Sequence, residues 1–274
     1  MSNTPGKKLW VMAASTPAMP SSRIAHDLSK ASLVDPAVDE LTDAPMAFPI
    51  ANPDKPQAAC VLLLDTSRSM RGAPIRALQQ GLETYRDYLS GDAEAKLIVE
   101  TCVIAFSDEA KVVHPFSSVD SLPKIELEAG GWTSMGAAID LGIQQIEERK
   151  AFYKDEGVDY YRPFLVLITD GAPTDLKGDA RFNECAAKLQ QGAKDRKFIP
   201  LLFGTGNANF DKLKLLAGPT GTVAGIDGAR FEEFFQWLSK SVSGLKDSKP
   251  GEVVTFADPT LPTAETPNPF AFEV

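Results

Sequence analysis

The sequence predicts an α/β sandwich: a mostly parallel central sheet with one antiparallel edge strand and helices on both faces. Three observations predict it. Continuous apolar runs of strand length, at residues 58–64, 164–169 and 198–203, suit strands buried on both faces of a parallel sheet. Segments with apolar residues at helical spacing lie between them, and this alternation is the pattern of β-α-β units. The first two runs end on an aspartate, Asp65 and Asp170. Ligands of such sheets bind just beyond the carboxyl ends of the strands, where the strand order reverses.

Residues 74–89 carry Ile75, Leu78, Leu82, Tyr85 and Leu89 at helical intervals, and Pro74 suits a first helical turn. Residues 96–106 and 110–116 flank the polar turn Ser107-Asp108-Glu109 and read as a hairpin, which supplies the antiparallel strand. Residues 136–152 read as a helix, 164–169 as a strand, 180–196 as a helix and 198–203 as a strand. A short helix over 210–217 and an edge strand over 221–224 come next. The last helix, 229–243, carries Phe231, Phe234, Phe235 and Leu238 at amphipathic spacing.

The ends read differently. Residues 1–57 are rich in Pro, Ser, Ala and Asp with poor periodicity, apart from a helical possibility over 22–33. They read as a largely irregular N-terminal extension. Its acidic residues Asp39, Glu40 and Asp43 are candidates to reach a cation site in cis. The folded domain is expected over 58–245. Residues 246–274 read as a Pro-rich tail, since Pro250, Pro259, Pro262, Pro267 and Pro269 break regular elements. The apolar Phe270-Ala271-Phe272 is a candidate to dock.

The formal charge is −9, with no basic run. Phosphate backbones and anionic membrane surfaces reward clustered Lys and Arg, so neither is an expected partner. No apolar run approaches the roughly 20 residues of a membrane helix. Lys7-Lys8 and residues 9–14 imitate a signal peptide, but the apolar stretch is too short and is cut off by Pro17 and Pro20. Cys60, Cys102 and Cys185 are odd in number and match no zinc spacing. They read as core thiols of a reducing, cytoplasmic compartment.

The chemistry is expected in three loops. Asp65-Thr66-Ser67-Arg68-Ser69 succeeds the first strand, Gly130-Gly131-Trp132-Thr133-Ser134 precedes a helix, and Thr169-Asp170-Gly171 ends another strand. All three fall on one rim of the sheet and offer two carboxylates and several hydroxyls. A hard cation such as Mg²⁺ prefers oxygen donors and takes one or two carboxylates. Ser67, Ser69 and Thr133 supply neutral oxygens, and Asp65 and Asp170 bind directly or hold bound waters. So weakly neutralised an ion seeks one more anionic oxygen, which a partner's Asp or Glu supplies.

This ordered pattern, Asp-x-Ser-x-Ser, then a distant Thr, then an Asp at a strand tip, resembles the von Willebrand factor A family over residues 58–243. The resemblance implies a Rossmann-like sandwich and a metal-ion-dependent adhesion site of Asp65, Ser67, Ser69, Thr133 and Asp170, holding Mg²⁺ or Mn²⁺. Leu63-Leu64-Asp65-Thr66-Ser67, Met70-Arg71-Gly72, Ile168-Thr169-Asp170-Gly171, Pro173-Thr174-Asp175 and residues 234–239 look most like bacterial TerY-type members. That resemblance implies an adaptor in tellurite-resistance, stress-response or phage-defence systems, encoded near protein kinases and phosphatases. Related domains also serve AAA+ machines of the MoxR and chelatase type, the alternative reading. Arg68 and Trp132 stand where the family more often has glycine, and both are candidates for a partner-contact rim, since Arg and Trp often dominate interfaces.

An enzymatic reading fares worse. A phosphatase using Asp65 as nucleophile needs a second acid two residues on, where the chain has Ser67. The two histidines, His26 and His114, lie off the rim, so a Ser-His-Asp arrangement has no base. Gly204-Thr205-Gly206 lacks the third glycine of a dinucleotide loop, and no phosphate loop occurs. Asp108 reads as a turn residue only, Asp175 as a turn or helix-capping residue, and Asp140 takes no role.

Overall fold

The computed structural model describes residues 48–219, 221–226 and 230–256, and the backbone of 271–273. The expected helical possibility over 22–33, His26, the acidic residues 39–43 and the prolines after Pro250 lie outside the described residues.

Eight strands are present among them: β1 (Ala58–Asp65), β2 (Val99–Phe106), β3 (Ala110–Ser118), β4 (Phe164–Thr169), β5 (Ile199–Thr205), β6 (Thr222–Ile226), β7 (Val253–Thr255) and β8 (Ala271–Glu273). The first six form one sheet in the order β3-β2-β1-β4-β5-β6. β1 runs parallel to β2 and β4, β5 and β6 continue the parallel arrangement, and only β3 runs antiparallel, against β2. This is the expected α/β architecture with its hairpin at one edge.

The helices are α1 (Ala73–Gly91), the single turn α2 (Ala95–Ile98), α3 (Met135–Asp155), α4 (Asp179–Lys194), α5 (Phe210–Ala217) and α6 (Phe231–Ser243). Side chains alternate across a strand, so each buried strand serves two cores. Cys60, Leu62 and Leu64 pack in one core with Leu78, Leu82 and Tyr85 of α1 and with Phe231, Phe235 and Leu238 of α6. Ala59, Val61 and Leu63 pack in the other with Ile139 and Ile146 of α3, Leu189 of α4 and Leu213 of α5. Burial on both faces is the physical reason β1 reads as an unbroken apolar run. Gly81 lets α1 approach α6: a Cβ there would lie 2.5 Å from Phe235 Cδ2 and 3.0 Å from the Phe231 carbonyl oxygen.

Two elements differ from the expectation. Residues 96–98 form the turn α2 instead of extending the strand. Asp92 Oδ1 accepts from the backbone N–H of Glu94 and Ala95 at 3.0 and 3.1 Å, capping that turn. A short apolar run does not by itself distinguish the two states.

The second difference lies beyond residue 245. β7 pairs antiparallel with β8, and Phe256 is buried with its ring 5.7 Å from that of Phe164. Pro250 stands just ahead of β7. The three cysteines are buried and unpaired, and burial pushes the Cys60 and Cys185 thiols up to about 12.

Candidate metal centre

The strand order reverses between β1 and β4, so the connections leaving them diverge and open a crevice between their tips. Asp65 is the last residue of β1, and Asp170 comes directly after the last residue of β4. Adjacent strand tips therefore bring together two carboxylates that are distant in the sequence.

The first loop is wound by its own polar groups. The Ser67 N–H donates to Asp65 Oδ1 at 2.8 Å, a turn that Asp commonly makes. A 3-10 turn over Arg68–Met70 then brings Ser69 back, leaving the two serine Oγ atoms 3.0 Å apart. Ser69 Oγ donates to Asp170 Oδ1 at 2.6 Å. Thr66 anchors this loop to β2, its N–H and its hydroxyl both donating to the Phe106 carbonyl, at 2.8 and 3.0 Å.

The loop carrying Thr133 is fixed from three sides. Gly130 N–H donates to the Thr66 carbonyl at 2.8 Å, and Arg68 N–H donates to the Gly131 carbonyl at 3.2 Å. Thr133 N–H donates to Thr174 Oγ1 at 3.0 Å, and Thr174 N–H returns to the Thr133 carbonyl at 2.9 Å. The third side is the β2–β3 turn. Asp108 Oδ1 accepts from Trp132 N–H at 2.9 Å, and its carbonyl accepts from Ser134 Oγ at 2.8 Å. Gly131 has a φ of 71°, and a Cβ there would lie 2.5 Å from Asp108 Oδ2, so that carboxylate seats directly on a glycine.

All five expected site residues thus lie together. A Cβ at Gly171 would sit 3.5 Å from Thr133 Oγ1, 3.9 Å from Ser69 Oγ and 4.0 Å from Asp65 Oδ2. Oxygens from Asp65, Ser69 and Thr133 therefore face one spot. The donor set is all oxygen, two carboxylates and three hydroxyls, which fits a hard divalent cation. The electrostatics agree. Asp65 is buried, and burial pushes its pKa up, with the neighbouring Asp170 charge adding to the rise. Hydrogen bonds from Thr169 and Ser67 act in the opposite direction. No cationic side chain hydrogen-bonds to Asp65 among the described residues.

Some residues matter more than their sequence context suggests. Asp108 holds the Thr133 loop and is more than a hairpin turn. Thr169 orients Asp65, its hydroxyl donating to Oδ2 at 2.6 Å. Asp175 caps a helix, as its context suggests, and the helix is α3: its carboxylate oxygens accept from Gly136 and Ala137 N–H at 3.1 and 2.9 Å. The signal available for each is a polar residue close to a site residue in the sequence or in a facing turn. Asp140 instead pairs with Arg181 and Lys188 on the α3–α4 surface. His114 is buried in β3, with Nε2 2.6 Å from Ser117 Oγ.

Arg68 and Trp132 flank a cleft of about 180 Å³ that Ser67, Ser69, Gly131 and Thr133 also line. Trp132 is 69% exposed. Among the described residues, no helix is long and apolar enough to cross a membrane.

A family model described as von Willebrand factor type A domain matches residues 60–241. No curated protein matches the chain. Among solved structures, the fold is similar to that of a von Willebrand factor type A protein from Catenulispora acidiphila, with 18% identity and a TM-score of 0.55. That match covers 69% of this chain and 43% of the other. It is also similar to the PilB minor pilin from Streptococcus sanguinis (12% identity, TM-score 0.51, 70% and 62% covered). A third is proximal thread matrix protein 1 from the mussel byssus, in a form with a zinc-occupied MIDAS motif (17% identity, TM-score 0.50, 69% and 48% covered). The chain spans less than two thirds of the length of each.

Proposed function

The chain belongs to the von Willebrand factor type A family, and from that premise we propose that it is a divalent-cation-dependent protein-binding module. One observation carries the reading: oxygens of Asp65, Ser69 and Thr133 face one spot beside Gly171. Asp65, Ser67, Ser69, Thr133 and Asp170 would hold Mg²⁺ or Mn²⁺. Bound there, the cation supplies an open coordination position for an anionic oxygen. The chain's own residues do the rest. The three hydroxyls leave the site weakly neutralised, Thr169 and Ser67 fix the Asp65 carboxylate, and Asp108 and Thr174 fix Thr133. An exposed Asp or Glu of a protein partner is the ligand this arrangement suits.

Binding, not reaction, is the reading the residues favour. Position 67 holds a serine where an aspartate-nucleophile phosphatase needs an acid. His114 is buried in β3 and bonded to Ser117, away from the strand tips. The sequence resemblance to TerY-type proteins supports a cytoplasmic adaptor of a bacterial stress-response, phage-defence or tellurite-resistance system. Its partner would be a kinase, a phosphatase or an AAA+ ATPase.

Cation titration by calorimetry tests the site. Wild type is expected to bind Mg²⁺ or Mn²⁺, and Asp65→Ala to lose that binding while keeping the circular dichroism of the folded sheet. Copurification from the native host with and without EDTA tests the function. A partner retained equally well in excess EDTA overturns the metal-bridged reading.

A further inference from the structure

We propose that the rim of this site selects a partner segment carrying two nearby carboxylates, one directed to the cation and the second taken by Arg68. The inference rests on the proposed function and names the partner chemistry within it. One cleft is lined by Arg68 and Trp132 together with Ser67, Ser69 and Thr133, the hydroxyl residues of the site. Neither Asp65 nor Asp170 lines it. Its volume of about 180 Å³ is below the roughly 300 Å³ at which small-molecule pockets begin. It suits one inserted side chain with its neighbouring backbone, hence a protein segment.

The charges support two acids over one. A divalent cation between Asp65 and Asp170 balances both. The Arg68 guanidinium then adds a positive charge, and it makes no hydrogen bond or ion pair among the described residues. Asp108, whose carboxylate lies against Gly131, is engaged by Trp132 N–H at 2.9 Å. Arg71 is also exposed, but its Nε donates to the Ala129 carbonyl at 3.1 Å and it does not line the cleft, whereas Arg68 does. Arginine's planar fork matches a carboxylate in two-point contact. Its backbone is fixed by the bond from its N–H to the Gly131 carbonyl, so its reach is set by the side chain alone. Trp132, exposed and lining the same cleft, offers a flat apolar surface to the stem or backbone of the same segment.

The test uses the full chain and short Gly/Ser peptides carrying either one Glu or two Glu separated by one residue. Binding is monitored by the amide shifts of Ser67, Ser69 and Thr133, in Mg²⁺ and in EDTA. Wild type is expected to prefer the two-acid peptide by about fivefold, the upper range for a partly exposed ion pair. Arg68→Ala is expected to bring the ratio close to one, with unchanged Mg²⁺ affinity, and Arg68→Lys to restore part of it. Equal metal-dependent binding of both peptides, or a preference that survives in Arg68→Ala, overturns the proposal and leaves the metal-bridged reading intact. Binding indifferent to EDTA overturns both.

Discussion

The Thr169 hydroxyl donates to Asp65 Oδ2 at 2.6 Å, so the last residue of β4 holds the last residue of β1 by its side chain. The same Asp65 oxygen faces the spot beside Gly171 that Ser69 and Thr133 also face. Thr169 therefore sets where a buried carboxylate points. Removing a partner that orients a metal ligand typically costs about 10- to 100-fold in metal affinity. Thr169→Val keeps shape and β-branching but removes the donor. It is expected to weaken Mg²⁺ binding at least tenfold in a chain that still folds, with stability lowered by about 1–3 kcal/mol because the buried Asp65 oxygen loses its donor. Unchanged cation affinity would refute the orienting role.

Gly171 tests the same spot sterically. The contacts a Cβ would make, 3.5–4.0 Å, are ordinary van der Waals distances, and its φ is not in the left-handed region. Gly171→Ala should therefore fold within about 0.5 kcal/mol of wild type. The added methyl would sit against Thr133, Ser69 and Asp65 and crowd any cation held there. The expected outcome is a large loss of Mg²⁺ affinity with little change in thermal stability. A variant that binds Mg²⁺ as wild type does would place the cation elsewhere.

Asp108 acts on Thr133 through Trp132 and Ser134. Asp108→Ala removes the acceptor for Trp132 N–H, and Asp108→Asn keeps an oxygen in its place. Cation affinity should fall roughly tenfold in the alanine variant and recover in the asparagine variant. Equal affinities in the two variants would show that the β2–β3 turn merely borders the site.

How much of this is legible in the sequence depends on the range of the interaction. β1 and β4 are plain because burial on both faces leaves an unbroken apolar run ending on Asp65 and Asp170. Asp65, Ser67 and Ser69 are legible as an Asp-x-Ser-x-Ser spacing at a strand end, and Thr133 and Asp170 join them through the ordered pattern of the family resemblance. Asp108 reads as a turn residue because nothing local distinguishes a turn aspartate from one whose carboxylate receives an N–H 24 residues away. The turn α2 escapes a sequence reading because its apolar residues fit a strand equally well, and the deciding group, the Asp92 carboxylate, lies outside the run. The strand pairing of residues 253–255 is hidden for a related reason. Proline density marks a segment that breaks regular structure but says nothing about its flanks.

His114 gives the protein an acid-sensitive element far from the site. Burial holds its pKa below the ordinary 6.5. As pH falls through 6.5, the unfolded chain takes up this proton before the folded chain does, so stability drops. The loss ceases to grow once pH passes below the folded value. In His114→Gln this contribution disappears. Urea unfolding of the variant is expected to show a smaller decrease between neutral and mildly acid pH than wild type shows. Parallel pH profiles would remove His114 from the account.

The opposite end of the sheet holds a buried ion pair between Glu100 and Arg149. Glu100 lies near the start of β2, paired in register with Ala59, whereas Asp65 pairs with Phe106. Arg149 of α3 donates to both Glu100 oxygens, Nε to Oε2 at 2.8 Å and Nη2 to Oε1 at 2.6 Å, and the Tyr153 hydroxyl also donates to Oε2. All three side chains are buried, and Arg149 also reaches the Phe48 carbonyl at 3.0 Å. A buried pair adds little over a well-packed apolar one, yet breaking it strands a charge and costs about 3–5 kcal/mol. Glu100→Gln and Arg149→Met should each destabilise on that scale. The double variant, with no charge left unpaired, should recover part of the loss, giving a coupling well outside additivity. Mg²⁺ affinity should stay unchanged in all three, because the pair is separated from Asp65 by the length of the strand. Additive losses of stability would mean that Glu100 and Arg149 contribute independently. A fall in Mg²⁺ affinity in the folded variants would mean instead that the two ends of β1 are coupled.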